Sequence, residues 1–352
     1  MAGRFLLYGA TGFSGRLIAE RARRRDLWPI LAGRDARRLR ELGAQLGCEH
    51  RAVPLDAGGA LRSAMRDVEV ALNAAGPFAA TAPPLVDACL HSGTHYLDLT
   101  GEVPVLDALL RRDGQARARG VMLMPAVGFV VVPSDCLALH VARRLPDACR
   151  LRIGVSRTDA VSRGSMKTIL EQWSDTVAIR RGGALSAVPL GQLERRFDYG
   201  RGACPSAAVS WGDTVTAHHT TGIPDIEVYL EVSPSERAMF RLSGRFAPLL
   251  DSAALRVWAK LPMRFLADGP SAERRAGAGR TIVAEAQNAA GQCARARLNT
   301  PDAYAFTADS AVAILERVLA GEVEAGFQTP ARMYGADFVL GLDGVVREDL
   351  RA

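Results

Sequence analysis

Arg4-Phe-Leu-Leu-Tyr8 runs directly into Gly9-Ala10-Thr11-Gly12-Phe13-Ser14-Gly15, and the reading of this stretch decides the fold. The apolar run reads as a buried strand. Leu17, Ile18 and Ala22 then recur at helical spacing, so the glycines sit between a strand and a helix N-terminus. That arrangement offers a phosphate free backbone N–H groups, a positive dipole end and close approach. Gly9 is expected to make the tight turn, Gly12 to let the backbone reach a pyrophosphate, and Gly15 to let the helix pack on the strand. Ala10, Thr11, Phe13 and Ser14 complete the expected cofactor turn.

Outward from this turn, strand-like segments at 29–32, 51–55, 68–74, 95–99 and 121–125 alternate with helix-like segments at 15–25, 36–46, 59–65, 83–92 and 104–119. Each helix is long enough for a right-handed crossover, so an α/β, doubly wound Rossmann sheet of parallel strands is predicted over residues 1–128. From 150 onward the sequence is β-rich, with strands expected at 150–156, 207–211, 226–232, 281–286 and 294–298, and helices at 165–180, 234–250 and 308–319. This predicts a second α+β domain with a mixed or antiparallel sheet over 129–325, with 326–352 packing back on the first.

A ligand of such a sheet lies over the carboxyl ends of its strands. After the second strand, where an acid would bind the ribose hydroxyls of NAD, stands Arg34. A guanidinium there matches a 2′-phosphate, so NADP(H) is the expected cofactor, with Arg37 and Arg38 adding positive field. Asp35 is placed as a helix N-cap. Asp56 is a candidate for the adenine side or a second N-cap. Asn73-Ala-Ala75-Gly76-Pro77-Phe78 provides small residues against which the nicotinamide ribose can lie.

The chain has 352 residues, enough for two domains, and a net charge of +6, but only Lys167 and Lys260 are lysines, and no aromatic residues interleave the arginine runs. Nucleic-acid binding is therefore not expected. Segment 120–142 carries one charge, Asp135, yet Pro125, Gly128 and Pro133 interrupt it, which argues against a membrane span. Six cysteines without a Cys-x-x-Cys pair, and no signal-peptide pattern at the N-terminus, point to a cytoplasmic protein.

For catalysis, a Tyr-x-x-x-Lys pair is absent, because Arg163 and Arg256 stand four residues before the two lysines. No metal is expected, since cysteine and histidine lack ligand spacing and His218 and His219, read as strand residues, would face opposite ways. Tyr96, Asp98, Thr100 and Glu102 alternate on one face of a strand that enters the switch-point region. They can hold substrate or relay a proton, with packing and capping as the competing reading, so Tyr96, Asp98 and Glu102 are the catalytic candidates. Ser162 and Arg163 suit a carboxylate, phosphate or thioester tail. Trp211 and His218 are candidates for the pocket wall, and Phe129 and Val130 leave the sheet where a substrate would meet the nicotinamide.

The runs Gly9 to Gly15, Ala32-Gly-Arg34, Asn73 to Phe78 and Gly93-Thr-His-Tyr96-Leu-Asp98-Leu-Thr100-Gly-Glu102 resemble those of the saccharopine dehydrogenase-like oxidoreductases, in the branch that contains the trans-acting enoyl reductases. The likeness continues in Pro133-Ser-Asp135, Ser162 to Ser165, Ser210 to Asp213, Thr221 to Pro224 and Gly326 to Pro330. It implies a Rossmann domain with a mixed-sheet substrate domain, a nicotinamide cofactor, reduction of an enoyl C=C or related C=N or C=O bond of a small or acyl substrate, and a homodimer. A non-catalytic NADP(H)-binding protein is the competing reading. Members of the family commonly carry aspartate where this chain has Val130, which implies a more apolar pocket.

Overall fold

The computed structural model describes residues 4–157, 176–240 and 278–351. The chain divides into two compact units: Met1–Val132 with Tyr304–Met333, and Pro133–Ala303 with Tyr334–Ala352.

In the first unit, β1 (Phe5–Tyr8), β2 (Ile30–Gly33), β3 (His50–Ala52), β4 (Val70–Asn73), β5 (His95–Asp98) and β6 (Met122–Met124) alternate with α1 (Phe13–Arg24), α2 (Ala36–Leu46), α3 (Gly58–Ala64), α4 (Phe78–Ser92), α5 (Val103–Leu110) and α6 (Asp113–Ala118). The sheet runs Gly326–Phe327, β6, β5, β4, β1, β2, β3, every pair parallel. Strand order reverses between β1 and β4, so both carboxyl ends flank the glycine turn there. All four residues of β1, β2 and β4 are buried, as a parallel sheet covered on both faces requires. Side chains such as Leu6, Ile30 and Phe327 each contribute about 1.5–3 kcal/mol by leaving water. The expected helix over 104–119 is two helices, broken at Arg111–Arg112.

The second unit carries a mixed sheet in the order Glu194–Asp198, Ala203–Ala208, Asp225–Glu231, Arg150–Val155, Arg280–Gln287, Cys293–Thr300, Val346–Leu350. Arg150–Val155 and Asp225–Glu231 pair in parallel. Thr176–Arg181 joins Asp225–Glu231 and forms a hairpin with Ala184–Pro189.

Several expectations are corrected. The helix read over 165–180 is strand from Thr176 onward, and the rest lies outside the described residues. Gly182 and Gly183, both at positive φ, are the two-residue hairpin turn that signals it. The strand read over 207–211 ends at Ala208, and Asp213–Thr221 is a helix, so His218 and His219 are helical neighbours rather than opposite faces of a strand. Helix 234–250 is described over 234–240 only. The unit boundaries also differ from those read in the sequence. Helix Ala303–Leu319 joins the first unit from Tyr304, because Phe306, Ala311, Ile314 and Leu315 are fully buried there. The tail divides: Gly326–Phe327 extends the parallel sheet beside β6, whereas Val346–Leu350 pairs antiparallel with Cys293–Thr300. The apolar 120–142 segment is β6, a loop and helix α7 (Val132–Arg144), and no described helix is long and apolar enough to cross a membrane.

Candidate dinucleotide site

Gly9 has φ +83°, a left-handed conformation natural to glycine, and its N–H donates to the Ala32 carbonyl at 2.8 Å. A Cβ on Gly15 would overlap the Gly9 carbonyl oxygen, so α1 reaches β1 only with glycine there. Gly12 differs. It is the exposed N-cap of α1, at φ −76°, with no side-chain cap, and the first turn of the helix carries no acid. Gly12 itself thus offers no cap, and a helix N-terminus of this kind suits an anion. Arg38 Nη2 donates to the Thr11 carbonyl at 3.2 Å and ties the turn to α2.

Asp35 caps α2, its carboxylate accepting from Arg38 N at 3.0 Å, as its position in the sequence suggests. Arg34 is exposed and makes no side-chain hydrogen bond or ion pair among the described residues. Burial raises the pKa of the Tyr8 phenol, Arg34 lowers it and Asp56 raises it, so both charges lie within electrostatic reach of the hydroxyl, which donates to Val53 O at 2.9 Å. Asp56 lies beyond the end of β3 and is not a cap, since Ala57 holds that position without a side-chain bond.

At the end of β4, Asn73 organises the next turn. Its Oδ1 accepts from Ala75 N at 3.0 Å, and its Nδ2 donates to Thr81 Oγ1 at 3.1 Å and to the Tyr96 hydroxyl at 3.3 Å. Ala75 also lies against Gly9, whose added Cβ would come within 2.8 Å of it. Ala75, Gly76 and Pro77 therefore stand beside the glycine turn.

The three catalytic candidates are buried and engaged in holding this edge together. Tyr96 donates to Asp98 Oδ2 at 2.9 Å, and Asp98 Oδ1 accepts from Thr100 N at 2.9 Å and Ala126 N at 2.8 Å. Burial pushes the Asp98 carboxyl up to about 6 and the Tyr96 phenol well above its usual value. Glu102 accepts from Phe78 N at 2.8 Å and Ala79 N at 3.0 Å, capping α4 from across the sheet edge. The alternation expected through Thr100 and Glu102 is not a continuous strand, because β5 ends at Asp98. Tyr96, Asp98 and Glu102 are each 4% exposed or less, and their polar atoms hold backbone and one another, which favours packing and capping over contact with a substrate. Asn73 and Thr81 are further members of this network, and an asparagine that ends an apolar strand is the sequence signal for the first.

Phe129 and Val130 belong to the first unit. Phe129 N donates to Thr307 Oγ1 at 3.0 Å, and its ring meets Phe306 edge-on at 5.8 Å. Val130 is partly exposed and rests against the Cα of Gly101. Val130→Asp is therefore expected to fold, with a loss of about 1 kcal/mol rather than the several that an unpaired charge costs in a closed core. A urea titration that places the loss above about 3 kcal/mol would put the side chain inside the core.

The remaining candidates lie in the second unit or outside the described residues. Ser162 and Arg163 fall in the latter class. His218 Nδ1 bonds the Ile223 carbonyl at 2.9 Å, and the Trp211 carbonyl accepts from Thr214, so both shape the ends of helix Asp213–Thr221. Among the described residues no group of three His, Cys, Asp or Glu is placed to hold a metal. A cavity of about 720 Å³ beside Arg62, Arg66, Glu69 and His91 lies at the amino ends of β4 and β5, the opposite edge from the glycine turn.

Residues 5–124 match the family model described as "Saccharopine dehydrogenase NADP binding domain". The chain is similar to the trans-acting enoyl reductase of Mycobacterium leprae, 38% identical over 148 residues, covering 40% of this chain and 35% of that protein. The corresponding protein of Mycobacterium ulcerans is 37% identical over 147 residues, again 40% and 35% of the two chains. The matched part thus spans about a third of these relatives. Apo saccharopine dehydrogenase (L-Glu forming) from Saccharomyces cerevisiae superposes with a TM-score of 0.68 at 13% identity, over 99% of this chain and 100% of that one. The uncapped amide end at Gly12 and the unpaired Arg34 fit a dinucleotide bearing a 2′-phosphate. Residues 5–124 thus match an NADP-binding domain of the saccharopine dehydrogenase type, in a chain with the fold of saccharopine dehydrogenase.

Proposed function

We propose that the chain is an NADP(H)-dependent reductase of a conjugated C=C bond, or of a related C=N or C=O bond, in a small or acyl substrate. The observation that carries this reading is the pairing of an uncapped helix N-terminus at Gly12 with an exposed, unpaired guanidinium at Arg34, on a domain matched as NADP-binding. The printed names of the relatives add the enoyl substrate class. The bound cofactor supplies the hydride. The protein's residues do the rest: the Gly9–Gly15 turn receives the pyrophosphate, Arg34 the 2′-phosphate, and Ala75, Gly76 and Pro77 the nicotinamide half. Phe129 and Val130 offer an apolar wall. With Tyr96 sealed behind Asp98 and Asn73, the proton of the reaction comes from water or the substrate side of the cleft. Homodimeric assembly and a cytoplasmic setting belong to the same proposal, and the six free cysteines agree with a reducing compartment.

NADPH is expected to bind at least about tenfold more tightly than NADH, since hydrogen bonds to a charged group contribute about 1.5–3 kcal/mol. Arg34→Asp should erase the preference in a fluorescence titration. Equal affinities in the unaltered protein would remove the NADP(H) assignment. Turnover of NADPH against enoyl thioesters, imines and carbonyls tests the reaction, and binding without turnover of any of them would favour a sensor.

A further inference from the structure

Helix Ala303–Leu319 lies outside residues 5–124, yet within the first unit it reaches two parts of the dinucleotide site. Tyr304 meets Phe13, the residue after Gly12, edge-on with ring centroids 5.0 Å apart. Further along, Asp309 pairs with Arg21, and Glu316 lies 3.5 Å from Arg25, so the helix runs beside α1 in the same direction, its first turn at the glycine turn.

The same helix holds the loop that follows β6. Ala126 sits at φ +60°, a left-handed conformation that a residue with a Cβ adopts only when its surroundings impose it. Asp98 imposes it from one side, accepting from Ala126 N through its carboxylate and from Val127 N through its carbonyl, both at 2.8 Å. The helix imposes it from the other. Ser310 Oγ donates to the Val127 carbonyl at 2.8 Å, and Thr307 Oγ1 accepts from Phe129 N at 3.0 Å. A Cβ on Gly128 would come within 2.9 Å of the Thr307 methyl, so loop and helix are fitted closely. Tyr304, Thr307 and Ser310 recur every third residue and share one side of the helix.

We propose that helix Ala303–Leu319 is the positioning element of the cofactor site. Tyr304 fixes the pyrophosphate turn through Phe13, and Thr307 with Ser310 fixes the 126–130 loop against which the nicotinamide end must lie. The proposal rests on the NADP(H) reading above. It assigns three positioning residues that no signal near the glycine turn announces, since nearly 300 residues separate Phe13 from Tyr304.

Fluorescence titration of the full chain with NADPH separates the two effects. Tyr304→Ala is expected to raise the Kd about fivefold, in keeping with the worth of an edge-to-face aromatic pair, while Tyr304→Phe stays near the unaltered protein. Thr307→Val and Ser310→Ala are expected to keep the Kd and to reduce the fluorescence enhancement of bound nicotinamide, with Thr307→Ser restoring it. If Tyr304→Ala does not fold, Tyr304→Leu, which keeps bulk and removes the ring, carries the measurement. Variants that change only the melting temperature, with Kd and enhancement unaltered, would overturn the proposal. Failure of the unaltered protein to bind NADPH would overturn the cofactor reading itself, and the two failures are distinct.

Discussion

Gly12→Val is expected to abolish NADPH binding in a protein that still folds, whereas Gly15→Val is expected to unfold the first unit. The two glycines stand three residues apart and face opposite demands. At Gly12 the backbone is extended, at φ −76° and ψ 167°, which a β-branched residue adopts readily, and an added Cβ finds only the Gly9 carbonyl at 3.2 Å. The side chain would project from the N-cap into the space an anion must enter to reach the amides of α1. Loss of that contact is a loss of affinity, with little loss of stability. At Gly15 the added Cβ would overlap the Gly9 carbonyl, whose backbone is fixed by a hydrogen bond to β2 and by the packing of Ala75. Neither neighbour is a flexible side chain that can move aside. The helix would have to lift from the strand, at a cost of several kcal/mol. Circular dichroism with NADPH titration separates the outcomes. A Gly12→Val protein that keeps its affinity would place the phosphate site elsewhere.

The first unit was legible in the sequence because its signals are local. A parallel strand buried on both faces reads as a continuous apolar run, and β1, β2 and β4 do so. The Gly9–Gly15 spacing states where the helix must begin, and Asp35 before an apolar-periodic run states the same for α2. What the sequence hides is pairing between distant segments. Glu102 alternates with Asp98 as a catalytic pair would, and nothing local reveals that it caps α4, 24 residues away from Phe78. Tyr304, Thr307 and Ser310 read as ordinary positions on an apolar helix, since their partners Phe13, Phe129 and Val127 lie far back in the chain. In the second unit the hairpin Thr176–Arg181 and Ala184–Pro189 is half-exposed, and its residues lack the strong alternation of a sheet packed on one face. Only the Gly182-Gly183 turn betrays it.

Asp98 makes the sharpest pH prediction, because its carboxyl is fully buried and pushed up to about 6, chiefly by burial, from an ordinary value of 3.8. Between these values the folded protein holds a proton that the unfolded chain has released, so stability falls as pH rises through this window. The shift of about two units corresponds to roughly 3 kcal/mol, lost by about pH 6. Asp98→Asn is expected to flatten this slope. Its amide oxygen can still accept from Thr100 N and Ala126 N, and its NH₂ can donate to the Tyr96 oxygen, so the edge of β5 and the strained Ala126 stay in place. The substitution removes a charge that the interior opposes and keeps most of the hydrogen bonds that the interior needs. Urea unfolding from pH 4.5 to 7.5, read for both proteins, should therefore show the variant gaining on the original as pH rises, up to about 3 kcal/mol near neutrality. Parallel curves would mean that Asp98 is ionised throughout and that Tyr96 and the two backbone amides stabilise its charge more than burial opposes it. In that event the carboxylate would be a fixed negative charge behind the 126–130 loop, and Asp98→Asn would be the more damaging change at every pH.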